Sequence, residues 1–207
     1  PSRGLGDVYK RQYLYCGLSR DASKEEILER INNNTITDIL NKIEVKAGDV
    51  VMVKAGTIHA IGAGVFICEI QQNSNCTYRM YDYDRRDKFG NPRELHVKKA
   101  LDVVDNHKYI KDNKTEVVIA RNEHFTEERL VQCKYFEVYK YDVNDEAKIT
   151  VDEASFVSVL FINGSGTIET DDYEKTMEFK AGDSFFVSAG LRSIIVKGQA
   201  TMVVTRV

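Results

Sequence analysis

Apolar positions recur first at helical spacing and then, over most of the chain, at strand spacing. Ser23 with Glu26 three residues on forms a capping-box pattern, and Ile27, Leu28 and Ile31 follow at helical intervals, so a helix is predicted from Ser23. Thr35 with Asp38 is a weaker start signal. Ile36, Ile39, Leu40 and Ile43 fall at i, i+3, i+4 and i+7, which predicts a second short helix with one buried face. Beyond Ile43 come short β-rich pieces punctuated by glycine, predicting strands at 50–53, 65–70 and 77–81. A helix interrupts them at 93–105, where Val97, Ala100, Leu101 and Val104 keep helical spacing. Further strands are predicted at 116–120, 135–143, 156–162, 166–170, 176–180, 184–187, 193–197 and 201–206, with Asp171 and Asp172 at a hairpin tip. Turn signals about every 8–12 residues predict an all-β antiparallel sandwich or barrel with a small helical insertion.

One stretch occurs twice. The run KAGDVVMVKAGTIHAI from Lys46 returns from Lys180 as KAGDSFFVSAGLRSII. Gly48 and Gly182 lie 134 positions apart (182 − 48), and the same offset relates Asp49 to Asp183, Val53 to Val187 and Gly56 to Gly190. A duplicated β-unit follows, with glycines at its turns. At that offset His59 falls on Ser193, so only one copy keeps an imidazole, a common metal ligand.

Composition narrows the function classes. Among 207 residues, 29 Lys and Arg face 32 Asp and Glu, and 43% are hydrophobic against 29% charged, which excludes disorder and coiled coil. No apolar run approaches the roughly 20 residues of a membrane span; 156–162 is the best. A net charge of −3 with scattered basic residues argues against nucleic-acid partners. Four cysteines without CxxC spacing point to free thiols in a reducing cytosol and against a cysteine-ligated zinc. Residues 1–12, which start at Pro1, read as a non-native leader, with natural sequence expected to be missing before Tyr13.

Gly48, five residues, Lys54, Ala55, Gly56, two residues and His59 resemble the second conserved motif of the cupin superfamily, with Lys54 in place of its usual proline. The run AGTIHAIGAGVFICEIQQNSNCTYRMYDYDRRDKFGNPRELH, from Ala55 to His96, is similar to type I mannose-6-phosphate isomerases of the bacterial zinc-dependent class, and the resemblance spans Tyr13 to Val207. It implies a double cupin of jelly-roll β-barrels with the first barrel incomplete. On that reading 13–110 holds the helical segment and the C-terminal part of the first barrel, the metal and substrate side, while 111–207 is a second barrel lacking metal ligands. The implied activity is aldose–ketose isomerisation between mannose 6-phosphate and fructose 6-phosphate, through an enediol and with zinc as cofactor. His59 matches the later metal ligand. The remaining ligands, an HxH or related pair and a Glu, are expected upstream of Tyr13, so the 207-residue chain by itself is expected to bind zinc poorly and to be inactive. Arg79 matches the catalytic arginine in the family segment NSDxTYR, where Asn75 replaces the Asp. The implied partner is a small sugar phosphate, with no nucleic acid and no membrane, in the cytoplasm. The alternatives are a non-catalytic double-cupin sugar-binding module and a structural or dimerising cupin half.

Other residues carry plainer expectations. Glu69 and Gln71 alternate with Gln72 on a predicted strand and share one face as a polar lining, with an exposed sheet face the equal alternative. The charge run from Asp82 to Lys88 reads as a solvated turn, and His96 as a surface or capping residue. Tyr135, Phe136, Tyr139 and Tyr141 read as core, and Gly164 and Gly166 as a hairpin turn.

Overall fold

The structure, a computed structural model, describes residues 12–74, 76–111, 117–170 and 173–207. Residues 1–11 of the predicted leader, Asn75, and the predicted hairpin tip at Asp171 and Asp172 lie outside them. The chain divides into two compact units, Pro1–Lys111 and Asp112–Val207.

The first unit runs β1 (Tyr13–Leu18), α1 (Lys24–Asn32), a 3-10 turn (Ile36–Ile39), β2 (Leu40–Glu44), β3 (His59–Ile61) and α2 (Val97–Val103). Its sheet is antiparallel in the order β2-β1-β3. Helix α1 starts where its cap predicts: Ser23 Oγ accepts the Glu26 N–H at 3.1 Å. The Glu26 carboxylate does not close a capping box but accepts from Arg30 Nε at 2.8 Å and Arg20 Nη1 at 3.0 Å. Ile27 and Ile31 pack with Leu18, Ile36, Ile39 and Leu40 into a small core.

Three predictions fail here. The second helix is instead the 3-10 turn followed by strand β2, an arrangement that buries Ile36, Ile39 and Leu40 equally well. The segments 50–53, 65–70 and 77–81 are not strands. A β-rich segment gains stability by packing on a half-buried pleated surface, which 65–70 does not have, with Phe66 91% and Ile67 42% exposed. The helix predicted from residue 93 begins at Val97, because the residues before it are tied to Arg79: the His96 N–H donates to the Arg79 carbonyl at 2.7 Å.

The second unit comprises β4 (Val117–Arg121), β5 (Phe125–Gln132), β6 (Glu137–Val143), β7 (Glu146–Val151), β8 (Val157–Thr170), β9 (Tyr173–Lys180), β10 (Ser184–Val187) and β11 (Arg192–Arg206). The order is β10-β8-β11-β6-β5-β4, with β7 also on β11 and β9 also on β8. The two long strands are shared: β11 pairs with β7 over Arg192–Lys197 and with β6 over Ala200–Arg206, while β8 follows it throughout. Fully buried Val159, Phe161, Ile194, Val196, Met202 and Val204 fill the interior, where Phe161 stacks on Phe179 at 3.6 Å between ring centroids. Of the four aromatics expected in the core, Tyr141 is buried, Tyr139 packs against that core and Phe136 is half-buried, but Tyr135 is exposed, since its segment precedes the strand.

Gly164 and Gly166 do not form a turn. They sit within β8, opposite Ala200 and Gly198 of β11, so each of two predicted strand pairs is one continuous strand. A Cβ on Gly164 would come within 1.9 Å of the Gln199 carbonyl oxygen, so the glycine is there for close approach of two backbones.

Both copies of the repeat fold into the same turn. The Lys46 N–H donates to Asp49 Oδ2 at 3.0 Å, and the Lys180 N–H to Asp183 Oδ2 at 2.9 Å. Each aspartate N–H returns to its lysine carbonyl at 3.1 Å, and the intervening Gly48 and Gly182 have φ of 92° and 91°. The chain is mostly β, as expected.

Candidate active site

His59 opens β3, three residues after Gly56. Gly56 has φ of 82° and packs so close to α2 that an added Cβ would lie 2.6 Å from the Val103 carbonyl; its own carbonyl accepts from the Asp105 N–H at 2.9 Å. The strand pairs with β1, placing His59 opposite Cys16, and the Gly17 N–H donates to the Ile58 carbonyl at 2.7 Å. The His59 side chain is exposed, and its Nδ1 lies 3.0 Å from the Thr57 carbonyl oxygen. A carbonyl only accepts, so Nδ1 carries the proton in this contact. With Nδ1 so engaged, Nε2 is the ring nitrogen left to ligate a metal.

Arg79 belongs to a second set of contacts. Its N–H donates to His96 Nδ1 at 3.3 Å, the His96 N–H donates back to its carbonyl at 2.7 Å, and its Nη1 donates to the Glu94 carbonyl at 3.0 Å. Both backbone and guanidinium are therefore held by the 94–96 segment, and among the described residues the other guanidinium N–H groups have no partner, which leaves them to an anionic oxygen. His96 sits at the α2 N-cap position without a side-chain cap bond; its ring instead holds the Arg79 backbone.

The charge run after Arg79 is more than a solvated turn. Asp82 is 7% exposed; its Oδ1 accepts from Arg85 Nη2 at 2.9 Å and lies 3.5 Å from Arg93 Nη1. Its Oδ2 is buried and has no hydrogen-bond partner among the described residues, an arrangement costing on the order of 1–3 kcal/mol unless another group supplies a donor. Tyr83 and Asp84, with φ of 55° and 48°, make two consecutive left-handed residues directly after it. The Arg85 guanidinium lies over the Tyr83 ring at 5.4 Å. Further on, Asp87 Oδ1 accepts from the Asn91 and Phe89 N–H groups at 2.9 and 2.8 Å, bonds that hold its carboxyl below the usual carboxylate range. Sequence reading missed Asp82. The only signal was an aspartate with arginines three and eleven residues on, which a surface loop shows equally.

Glu69, Gln71 and Gln72 are exposed and lie outside any strand, so they form no shared lining. All four cysteines are free thiols. Among the described residues no group of three or more His, Cys, Asp or Glu side chains could hold a metal ion. His59 offers one of the three or four donors that zinc requires, so the described residues do not by themselves make a zinc site. Among the described residues no helix is long and apolar enough to cross a membrane.

Residues 126–207 match the family described as mannose-6-phosphate isomerase, cupin domain. The chain is 40% identical over 190 residues to the Bacillus subtilis protein YvyI, covering 89% of this chain and 57% of that one. It is 33% identical over 193 residues to mannose-6-phosphate isomerase ManA of the same organism, covering 88% and 56%. The crystal structure of the mannose 6-phosphate isomerase from Bacillus subtilis superposes with a TM-score of 0.85 at 35% identity, over 97% of this chain and 62% of that one. The chain thus spans little more than half the length of the curated relatives it matches. Within that span the chain is similar to cupins of the mannose-6-phosphate isomerase type, and residues 126–207 match their cupin-domain family.

Proposed function

We propose that the protein is an aldose–ketose isomerase interconverting mannose 6-phosphate and fructose 6-phosphate, in the cytoplasm. The single observation that carries the reading is the Arg79 guanidinium, fixed by the Glu94 carbonyl and by the backbone exchange with His96. Moving a proton between C1 and C2 of the sugar passes through an enediol, whose oxygens gain negative charge as the C–H bond breaks. A preorganised cation with spare N–H donors stabilises that charge without having to reorganise when it develops. Arg79 is the catalytic residue on this reading.

His59 is the metal-facing residue, with zinc as the proposed cofactor and the other donors coming from outside the described residues. The 111–207 barrel, with Ser193 at the corresponding position, supplies no metal ligand. No residue is assigned as the proton carrier.

The test is formation of fructose 6-phosphate from mannose 6-phosphate by the zinc-loaded protein that carries the remaining metal donors, followed by a coupled assay. Arg79→Ala is expected to lower turnover by roughly 100-fold or more, as removal of an oxyanion donor does, with circular dichroism unchanged. Undiminished turnover in that variant would refute the assignment. Saturable binding of mannose 6-phosphate without turnover in the native protein would favour a sugar-binding module instead.

A further inference from the structure

We propose that Asp82 is a positioning residue that fixes the Arg79 guanidinium through Arg93 and the 93–96 segment, an inference that rests on the role given to Arg79 above. The Asp82 side chain is 8% exposed, while the Arg85 and Arg93 side chains that meet it are each more than half exposed. One buried carboxylate therefore serves two guanidinium groups as common counter-ion. Arg93 is the residue before Glu94, whose carbonyl accepts from Arg79 Nη1 at 3.0 Å, and two residues further on His96 holds the Arg79 backbone. Arg79 and Asp82 lie three residues apart on the facing segment. The route is thus short and closed: Asp82 draws in Arg93, Arg93 sets Glu94 and His96, and these two hold Arg79.

The far side of Asp82 is equally constrained. The Arg85 N–H and its Nε both donate to the Asp82 carbonyl, at 3.0 and 3.3 Å, across the two left-handed residues Tyr83 and Asp84. Asp82 is therefore fixed from its own loop, and what it transmits goes to the 93–96 side. Without its charge, Arg85 and Arg93 keep their mutual repulsion and lose the group that draws them together, and the Glu94 carbonyl is no longer held in place.

Arginine-selective 15N NMR on the 207-residue chain reads this directly, with the Arg79 signals assigned by their loss in Arg79→Lys. In the unsubstituted chain the bond to Glu94 slows rotation about the Arg79 Cζ–Nη bonds. Asp82→Asn is expected to average the Arg79 Nη signals to those of a free guanidinium while the methyl spectrum of the second unit stays unchanged. Arg79 signals in Asp82→Asn that match the unsubstituted chain overturn the proposal. Should Asp82→Asn not fold, Arg93→Ala leaves the acid in place and tests the same route: averaged Arg79 signals support the proposal, and unchanged ones overturn it.

Kinetics, measured on the zinc-loaded protein that carries the remaining metal donors, separate positioning from general support. Asp82→Asn is expected to lower kcat by roughly 10- to 100-fold with KM within about twofold, the size of loss that a misplaced catalytic group produces. In the Arg79→Lys background the same change should then cost nothing further. Equal fold losses in the two backgrounds overturn the proposal, because they show Asp82 acting other than through Arg79. Full turnover in Arg79→Lys alone refutes the catalytic role of Arg79, while the NMR signals still decide whether Asp82 fixes its guanidinium.

Discussion

Gly164→Ala is expected to destabilise the second unit far more than Gly182→Ala, although the two glycines share a backbone conformation. Their φ angles are 89° and 91°, so an L-residue at either position bears about the same strain, roughly 1–2 kcal/mol. Their surroundings differ. A Cβ at Gly182 meets nothing within 4 Å, whereas at Gly164 it would lie 1.9 Å from the Gln199 carbonyl oxygen and 2.7 Å from the Ala200 Cα. Both obstacles are backbone of β11, so no side-chain rotation relieves them and the strands must part. Separation at this point disturbs the Gly164↔Ala200 and Gly166↔Gly198 pairs, and each ladder hydrogen bond lost costs about 1 kcal/mol. The strands also meet the buried layer of Phe161 and Met202, where loosened packing costs about another 1–3 kcal/mol. The expected totals are about 1–2 kcal/mol for Gly182→Ala and about 4–7 kcal/mol for Gly164→Ala, a large fraction of the roughly 5–15 kcal/mol of a typical domain. Urea unfolding by far-UV circular dichroism and tyrosine fluorescence suits a chain with no tryptophan. A difference between the two variants below about 1 kcal/mol would show that β8 and β11 do not approach as described, and the reasoning would fall.

Three further outcomes follow from unit-level contacts. His124 Nδ1 lies 2.9 Å from Asp145 Oδ1, a bond that raises the histidine pKa and lowers that of the carboxyl. The histidine contribution is complete below its unfolded value of about 6.5 and fades as pH rises through the raised folded value; the carboxylate contribution fades as pH falls below about 4. An NMR titration of His124 should show its pKa fall in Asp145→Asn, and no change refutes the pairing. Buried Tyr141 donates its hydroxyl to Glu127 Oε1 at 2.6 Å, so Tyr141→Phe should cost about 1–2 kcal/mol in urea unfolding, and an unchanged midpoint contradicts it. Among the thiols, exposed Cys76 should react first with a disulfide reagent, Cys68 more slowly because partial burial raises its thiol pKa, and buried Cys16, raised by the same cause, only after unfolding. Fast labelling of Cys16 in the native chain is the contrary result.

How far the sequence could be read depended on the range of the interactions behind each feature. Ser23 and Glu26 announced α1 because capping is local, and the buried face of Ile36, Ile39 and Leu40 was right although the element was wrong, since a 3-10 turn followed by a strand keeps the same side chains inward. Strand β5 was invisible because its run, FTEERLVQ, is polar and its Glu127 is satisfied by Tyr141 from the neighbouring strand. Strand β7 alternates exposed and buried residues along EAKITV, a period-2 signal legible in the sequence but absent from the predicted strands. The glycines of β8 looked like turn residues because a turn and a close backbone approach select the same residue type. His59 and Arg79 stood out by motif. Asp82 could not, because its burial depends on the 79–82 and 93–96 segments meeting, which no local pattern encodes.

The duplication reaches further in the fold than in the sequence, and it bears on why the copies differ in chemistry. In the first unit Cys16 pairs with His59 and Leu14 with Ile61; in the second Thr150 pairs with Ser193 and Lys148 with Ile195. Each partner is displaced by the same 134 positions (150 − 16, 193 − 59), so a strand pair, as well as a turn, has been repeated. The partner strands share no residue at these positions, YLYC against AKIT, so only the register reveals the match. Backbone geometry therefore supplies the same position in both copies. What differs is packing: Ser193 is 2% exposed and followed by fully buried Ile194 and Val196, whereas His59 is exposed with its Nδ1 turned to the Thr57 carbonyl. An imidazole at the buried Ser193 position is far larger than the hydroxymethyl group it would replace, at a cost of about 1–3 kcal/mol for overpacking alone. A side chain buried at this position meets no ligand from solution, whereas an exposed one can. The first copy keeps an exposed imidazole there, on a short strand where Ile61 is also 49% exposed.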